Sequence, residues 1–383
     1  MKWCLSPAFW DNRHHNHGQV AGEIVDMRHF QRIVGLAAMG VAGVALPVMA
    51  APQYWLDPAG PVAAMQGQLF LLTLYIMLGI FVTVSGILVY TLVRFRERAK
   101  ASARTGEAGT AARRETAAAA EDELPPQIEG NHKLEIIWTL IPFVLLLIIA
   151  IPTVRLSFAL AADPGPDALE VRVVGHQWWW EFEYPQLGIV TGNEMRIPVG
   201  RPIRLIIESA DVIHKFWVPK LAGKMDAIPG RTNQMWLQAD EPGIYYGQCA
   251  EMCGTHHANM RLRVVALPQA EFDAWVANWG RGPVVEDEAQ LAAVERGRMV
   301  FETRACYACH AIEGTAARGT AGPNLTDIGS RTTLAAGILE NTPENLARWI
   351  SDPQSVKPGS LMPRVGLSPD ELRDVVAYLS SLR

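Results

Sequence analysis

The sequence predicts a multidomain membrane protein: a two-helix transmembrane hairpin, then a β-sandwich, then a small all-α domain. Three observations carry this reading. Two uncharged apolar runs, Leu69 to Val93 and Ile136 to Val154, have the length and composition of bilayer spans. Between Leu169 and Leu267, short apolar and β-branched stretches alternate with Pro and Gly punctuation, the pattern of many short strands. From Glu288 onward the apolar residues recur with helical spacing. At 383 residues the chain has room for two soluble domains besides the spans, and a net charge of −5 with 19% charged residues gives no sign of nucleic acid as a partner.

Residues 1–50 read as an N-terminal extension and signal peptide. Met27 to Arg32 is basic, Ile33 to Val48 is apolar, and the small residues Ala50 and Ala51 suit cleavage near Ala50. Met27 is an alternative start, and His14, His15 and His17 are assigned no function. The membrane anchor is expected over 65–160. Pro142 and Pro152 fall inside the second run, where prolines are tolerated in lipid. The alternative, buried core helices of a soluble protein, is opposed by the length and lack of charge. Arg94, Arg96, Arg98, Lys100 and Arg104 follow the first span, and Arg113, Arg114 and Lys133 lie farther along the same connection, whereas 51–68 holds no Lys or Arg. By the positive-inside rule the connecting loop is cytoplasmic, and everything after Val154 is outside. The Ala99 to Glu123 loop is expected to be flexible or weakly helical.

The sandwich is expected over 168–280, with strands at Leu169–Val174, Trp178–Tyr184, Met195–Pro198, Ile203–Ser209, Thr232–Leu237, Gly243–Tyr246 and Met260–Val265. Phe272 to Trp279 is a short closing helix, and Gly280 to Pro283 is a linker. The all-α domain is expected over 288–383, with helices at Ala289–Arg304, Pro343–Ser351 and Pro369–Leu382. Ser368 before Pro369 suits an N-cap, and Leu372, Val375, Val376 and Leu379 share one face of the last helix.

Four of the five cysteines fall in two motifs, which leaves only Cys4 and no internal disulfide framework. The first motif runs Cys249-Ala-Glu251-Met-Cys253-Gly-Thr-His256-His257-Ala-Asn-Met260. Two thiolates, an imidazole and a thioether within twelve residues are soft ligands suited to copper. His214, on the loop after an apolar strand, offers a second imidazole. This set exceeds what one copper takes, and two cysteines bridging two copper ions would use all of it. A structural Cys2His2 zinc site is the alternative, and Met260 and the β-sandwich setting count against it. The second motif, Cys306-Tyr-Ala-Cys309-His310, is a C-x-x-C-H attachment site for c-type haem, chemistry performed outside the cytoplasm.

Residues 134–267 resemble subunit II of haem–copper cytochrome c oxidases. The resemblance rests on Glu135-Ile-Ile-Trp-Thr-Leu-Ile-Pro142, Gly175-His-Gln-Trp178-Trp-Trp180, Asp226-Ala-Ile-Pro-Gly-Arg231 and the Cys249–Met260 loop. It implies a cupredoxin-like β-sandwich behind the hairpin. It also implies a dinuclear copper A centre held by His214, Cys249, Cys253, His257, Met260 and the Glu251 carbonyl. The Glu251 carboxylate would reach a magnesium ion shared with subunit I. His256 departs from the residue often found there, and the loop register favours His257 as the ligand. Trp178 reads on its own as part of an aromatic strand, and the resemblance implies the surface entry point for electrons. Glu135 reads as a helix N-terminal acid, stabilised by about 0.3–1 kcal/mol, or as an ionisable residue at a membrane edge. The resemblance implies the mouth of a proton channel.

Residues 288–383 resemble a class I cytochrome c domain, on the attachment motif, Gly322-Pro-Asn-Leu325 and Lys357-Pro-Gly-Ser-Leu-Met362-Pro363. This implies thioether bonds from Cys306 and Cys309, with His310 proximal and Met362 distal; such a pair raises the haem potential, as suits a donor to copper. Met299 is expected to pack in the core. The domain has few apolar residues and is expected to need its haem to fill one.

Together these imply the electron-entry subunit of a proton-pumping terminal oxidase in a bacterial inner membrane, its soluble domains on the periplasmic side. Electrons would pass from a cytochrome-type donor through haem c and copper A to subunit I, where oxygen becomes water. Subunit III is a further expected partner. The alternatives are the copper A subunit of a nitric-oxide or nitrous-oxide reductase, and a membrane-tethered copper-binding protein.

Overall fold

The computed structural model describes residues 53–106 and 130–383. The signal peptide, Cys4, the three early histidines and the loop beyond Gly106 lie outside the described residues.

Two long helices come first, α1 (Pro61–Gly106) and α2 (His132–Ala161). Helix α1 continues past the first apolar run into the stretch expected as a loop. At the start of α2 the Asn131 side chain accepts from the backbone of Lys133 and Leu134, capping two otherwise free N–H groups. Apolar side chains stand exposed all around both helices, among them Tyr75, Phe81, Trp138, Leu146 and Phe158. Helix α2, apolar on every side and with none of its residues buried in protein, is of the kind that is stable when lipid surrounds it.

The sandwich has two five-stranded sheets. In the first, β1 (Leu169–His176) pairs antiparallel with β2 (Trp179–Tyr184) and parallel with β5 (Ile203–Ser209), and β3 (Ile189–Gly192) and β8 (Asn233–Leu237) complete the order β3-β2-β1-β5-β8. The second has the order β4-β10-β9-β6-β7, formed by β4 (Glu194–Pro198), β6 (His214–Trp217), β7 (Lys224–Ala227), β9 (Gly243–Cys249) and β10 (Arg261–Leu267). Period-2 alternation turns Val171, Val173, Phe182, Ile203, Leu205 and Ile207 inward, where they meet Phe216, Leu262 and Val264 of the other sheet. The buried Tyr184 hydroxyl donates to the Arg196 carbonyl at 2.8 Å, so the ring is buried without an orphaned donor.

Three strands of the sandwich are not expected from the sequence: β3, β6 and β7, each four residues long and too short to show alternation. Strand β6 corrects one expectation. His214 is the first residue of a strand, not part of the preceding loop, because β6 pairs with β7 at His214↔Ala227 and with β9 at Phe216↔Cys249. That register brings His214 beside the end of β9.

Helix α3 (Gln269–Asn278) closes the sandwich with Phe272 and Trp275 buried. The last domain consists of α4 (Glu288–Thr303), a two-stranded β11 (Thr333–Leu334) and β12 (Leu339–Glu340), then α5 (Pro343–Ser351), α6 (Pro353–Val356) and α7 (Pro369–Ser381). Helices α4 and α7 cross at Gly297, where a Cβ would stand 2.0 Å from the Asp374 carbonyl oxygen, so only glycine allows this approach. Ser368 and Glu371 form a capping box on α7. Met299 corrects another expectation: it is 50% exposed, because Val294, Gly297, Val300 and Phe301 define the inward face of α4 and residue 299 lies off it.

The all-α domain sits on β4 of the second sheet and on β3, the edge strand of the first, through buried polar contacts. The Glu194 carboxylate, 1% exposed, accepts from the backbone and hydroxyl groups of Thr332 and Thr333. Arg196 donates to the Ser330 carbonyl and hydroxyl, and the buried Asp327–Arg331 pair meets Thr191. Each buried charge has bonded partners, as burial requires.

Candidate metal and haem centre

Strand β9 ends at Cys249 and β10 begins at Arg261, so the sheet holds both ends of the loop between them. Five side chains converge there. Cys249 Sγ lies 3.7 Å from Cys253 Sγ and 4.0 Å from His214 Nδ1. Cys253 Sγ lies 3.7 Å from His257 Nδ1 and 3.8 Å from Met260 Sδ. The Glu251 carbonyl oxygen is 3.2 Å from Cys249 Sγ. Both cysteines are free thiols, and they, His214 and Met260 are buried. Asp211 fixes the orientation of His214: Nε2–H donates to its carboxylate at 2.7 Å, which leaves the Nδ1 lone pair facing the sulfurs.

The two sulfurs are within hydrogen-bonding distance, so one proton between them serves both. A hydrogen bond from Cys253 holds Cys249 far below its ordinary value, at about 3, and the same bond pushes Cys253 up. A cation in place of that proton would leave both sulfurs as thiolates. The donor set of two thiols, two imidazoles, a thioether and a carbonyl therefore fits copper and exceeds the four ligands of structural zinc. His256 and His257 part company. His257 faces Cys253, whereas His256 Nε2–H donates to the Pro358 carbonyl of the all-α domain.

The Glu251 side chain points away from the sulfurs, and its Oε2 lies 3.1 Å from Lys215 Nζ, which also reaches Asp226 at 3.1 Å. The Glu251 carboxylate is partly exposed. Glu135 lies in the first turn of α2, with Oε2 3.0 Å from His132 Nδ1.

In the all-α domain one cavity of about 270 Å³ is lined by Cys306, Cys309, His310 and Met362, with Leu325, Ile350 and other apolar groups. His310 Nδ1–H donates to the Pro323 carbonyl at 2.8 Å, which leaves Nε2 as the free lone pair. Burial holds its pKa below the ordinary value, partly offset by that carbonyl, which favours the neutral ring that a metal ligand needs. Gly322 packs flat on the ring; a Cβ there would stand 2.6 Å from His310 Cε1. An apolar cradle with two thiols, a neutral imidazole and a thioether on its walls fits a haem.

Trp178 is half-buried and lines this same cavity, while its Nε1–H donates to the Cys253 carbonyl at 2.9 Å. Gln177 reaches the same carbonyl at 2.7 Å. Sequence reasoning did not single out Gln177, Asp211 or Lys357. Asp211, three residues before His214, carried a readable signal as an orienting carboxylate. The other two are placed by contacts more than 75 residues apart in sequence.

Comparison with known proteins identifies the family. Family models match for the transmembrane domain of cytochrome c oxidase subunit II over residues 49–111 and 115–156, its periplasmic domain over 188–267, and cytochrome c over 294–383. Cytochrome c oxidase subunit 2 of Alkalihalophilus pseudofirmus is 41% identical over 86% of this chain and 90% of that protein. The subunit 2 proteins of Bacillus sp. PS3 and Bacillus subtilis are 39% and 34% identical, over 92% and 93% of this chain and 96% and 99% of theirs. The spans, the cupredoxin-like sandwich and the helical domain follow one another in the order that these models describe, in a membrane protein with a periplasmic domain. The chain belongs to the cytochrome c oxidase subunit 2 family, as a member with a cytochrome c domain following its periplasmic domain.

Proposed function

We propose that this chain is the electron-entry subunit of a proton-pumping terminal oxidase in a bacterial inner membrane, working with subunits I and III. Its parts are a leader over 1–50, an anchor over 65–160, a copper domain over 168–280 and a haem domain over 288–383. A cytochrome-type donor would deliver electrons to the haem domain, and subunit I would reduce oxygen to water. The observation that carries the proposal is the convergence of five soft donor atoms in contacts of 3.7–4.0 Å, with Trp178 joining their loop to the cavity that holds His310 and Met362.

His214, Cys249, Cys253, His257 and Met260, with the Glu251 carbonyl, would hold a dinuclear copper A. Cys306 and Cys309 would hold haem c covalently, with His310 and Met362 as its ligands. Bound there, these groups would supply one-electron chemistry. The chain's own residues prepare that chemistry. Asp211 presents the correct nitrogen of His214, and the Pro323 carbonyl does the same for His310. Burial of both cysteines and Met260 excludes water from the sulfurs. Trp178 would carry electrons toward the Cys253 end of the copper loop, to which its indole is bonded. The Glu251 carboxylate would contribute to the magnesium shared with subunit I. Glu135, at the cytoplasmic end of α2, would admit protons to one channel.

The test is complementation. Membranes lacking this chain should lose cytochrome-supported oxygen uptake, the parent chain should restore it, and a Cys249→Ser/Cys253→Ser chain should not. Restoration by the double variant would overturn the proposal.

A further inference from the structure

The loop that carries the proposed copper ligands and the loop that carries Met362 touch one another, and the contact is made by two buried polar side chains. Lys357 is 4% exposed. Its ammonium donates to the Trp178 carbonyl at 2.7 Å, the Asn259 carbonyl at 3.1 Å and the Ala335 carbonyl at 3.4 Å. The first acceptor belongs to the tryptophan between the two centres, the second precedes Met260, and the third lies in the haem domain. Among the described residues Lys357 forms no ion pair; burial lowers its pKa to about 7, and the three carbonyls are the partners that its ammonium form has to bond. His256, 5% exposed, donates from Nε2 to the carbonyl of Pro358, the next residue along, and its ring meets Trp178 edge-on with centroids 5.2 Å apart.

Burying an ammonium costs several kcal/mol unless each N–H is bonded, and an apolar side chain of similar volume often closes an interface as well. What such a cation adds is register: its three donors are satisfied together in one relative placement of the three carbonyls. We propose that Lys357 and His256 are positioning residues that bolt the Met362 loop onto the Trp178 end of the copper loop, making the haem domain a fixed rather than a swinging electron donor. The proposal rests on the electron-entry reading and adds how the two centres are kept at one separation. Glu194 and Arg196 anchor the far side of the same domain, so the haem domain is held at two places.

The experiment uses the assembled oxidase with the full chain and follows transfer of one electron, with the haem iron oxidised, the copper pair reduced, and no bond made or broken. In the parent, a fixed donor gives a rate that does not change as glycerol raises solvent viscosity. In Lys357→Met, which keeps the apolar stem and removes all three donors, the rate should fall about tenfold, a barrier increase of about 1.4 kcal/mol, and become viscosity-dependent. The c-type haem band, the copper near-infrared band and both midpoint potentials should stay at parental values. Lys357→Arg should recover part of the rate. A parental rate in Lys357→Met, or a viscosity-dependent rate in the parent, would overturn the proposal. If Lys357→Met loses either band, the decision passes to His256→Leu, in which intact bands with a parental rate overturn it and intact bands with a slowed rate support it. Absence of both bands from the parent would instead refute the electron-entry reading.

Discussion

The seat of the haem domain depends on one carboxylate, and its removal has a size that can be worked out. Glu194 Oε1 accepts from Thr332 N at 2.8 Å, Thr332 Oγ1 at 2.6 Å, Thr333 N at 2.9 Å and Thr333 Oγ1 at 3.1 Å. Oε2 accepts only a shared contact from Thr332 N at 3.0 Å. Glu194→Gln can therefore set its carbonyl at the Oε1 position and keep the bonds while losing the charge. Hydrogen bonds to a charged group contribute about 1.5–3 kcal/mol and neutral ones about 0.5–1.5, a difference of about 1 kcal/mol each. Four donors crowd one oxygen and do not act independently, so the net loss should be about 2–3 kcal/mol. Glu194→Ala removes the acceptor and strands two N–H groups and two hydroxyls, and should cost about 3–5 kcal/mol. Amide hydrogen exchange at Thr332 and Thr333 in the full chain reads this directly. Protection should drop about 30- to 150-fold in Glu194→Gln at about 1.4 kcal/mol per tenfold, with the Val171 and Val173 amides of the sandwich core as controls. Unchanged protection at both threonines in Glu194→Ala would refute the reasoning.

Four more outcomes follow from the geometry. Cys249→Ser/Cys253→Ser should lose its copper and keep its covalent haem, measured by metal analysis and the reduced haem spectrum. Gly322→Ala places a methyl against the His310 ring and should cost about 1–3 kcal/mol of stability, the range for overpacking, while the haem loses its six-coordinate spectrum. Trp178→Phe keeps the ring and loses the donor to the Cys253 carbonyl; copper content should hold while haem-to-copper transfer slows about tenfold. The Thr232 hydroxyl, followed by Arg172, holds Glu208 below the usual carboxylate range. A depressed folded-state value means that this stabilisation is present above the unfolded value and is lost as pH falls through the folded one. Thermal melts should therefore show a smaller loss of stability toward acid in Glu208→Gln than in the parent.

Much of the architecture was legible because each domain has its own period. The uncharged runs mark α1 and α2, apolar stretches bounded by Pro and Gly mark β1, β5 and β8, and Ser368-Pro369 marks the start of α7. The candidate ligands were legible because they are chemically rare residues at short spacing, and the structure gathers Cys249, Cys253, His257 and Met260 in one loop. His214 was read as a loop residue because a four-residue strand shows too little alternation to be seen; only its pairing with β7 and β9 defines it. Met299 was misplaced for a related reason. Gly297 serves as an inward-facing position on α4, so counting apolar residues alone shifts the buried face. The docking of the haem domain was invisible in sequence. Glu194, Thr332 and Lys357 look like solvated surface residues until residues more than a hundred positions apart are brought together.

The most direct test of the central claim is electron paramagnetic resonance of the native full chain, read beside its metal and haem content. Two coppers and one covalent haem per chain, with a single unpaired electron shared between both coppers, is the predicted result. Isolated mononuclear cupric signals, or zinc filling the pocket formed by His214, Cys249, Cys253, His257 and Met260, would contradict it.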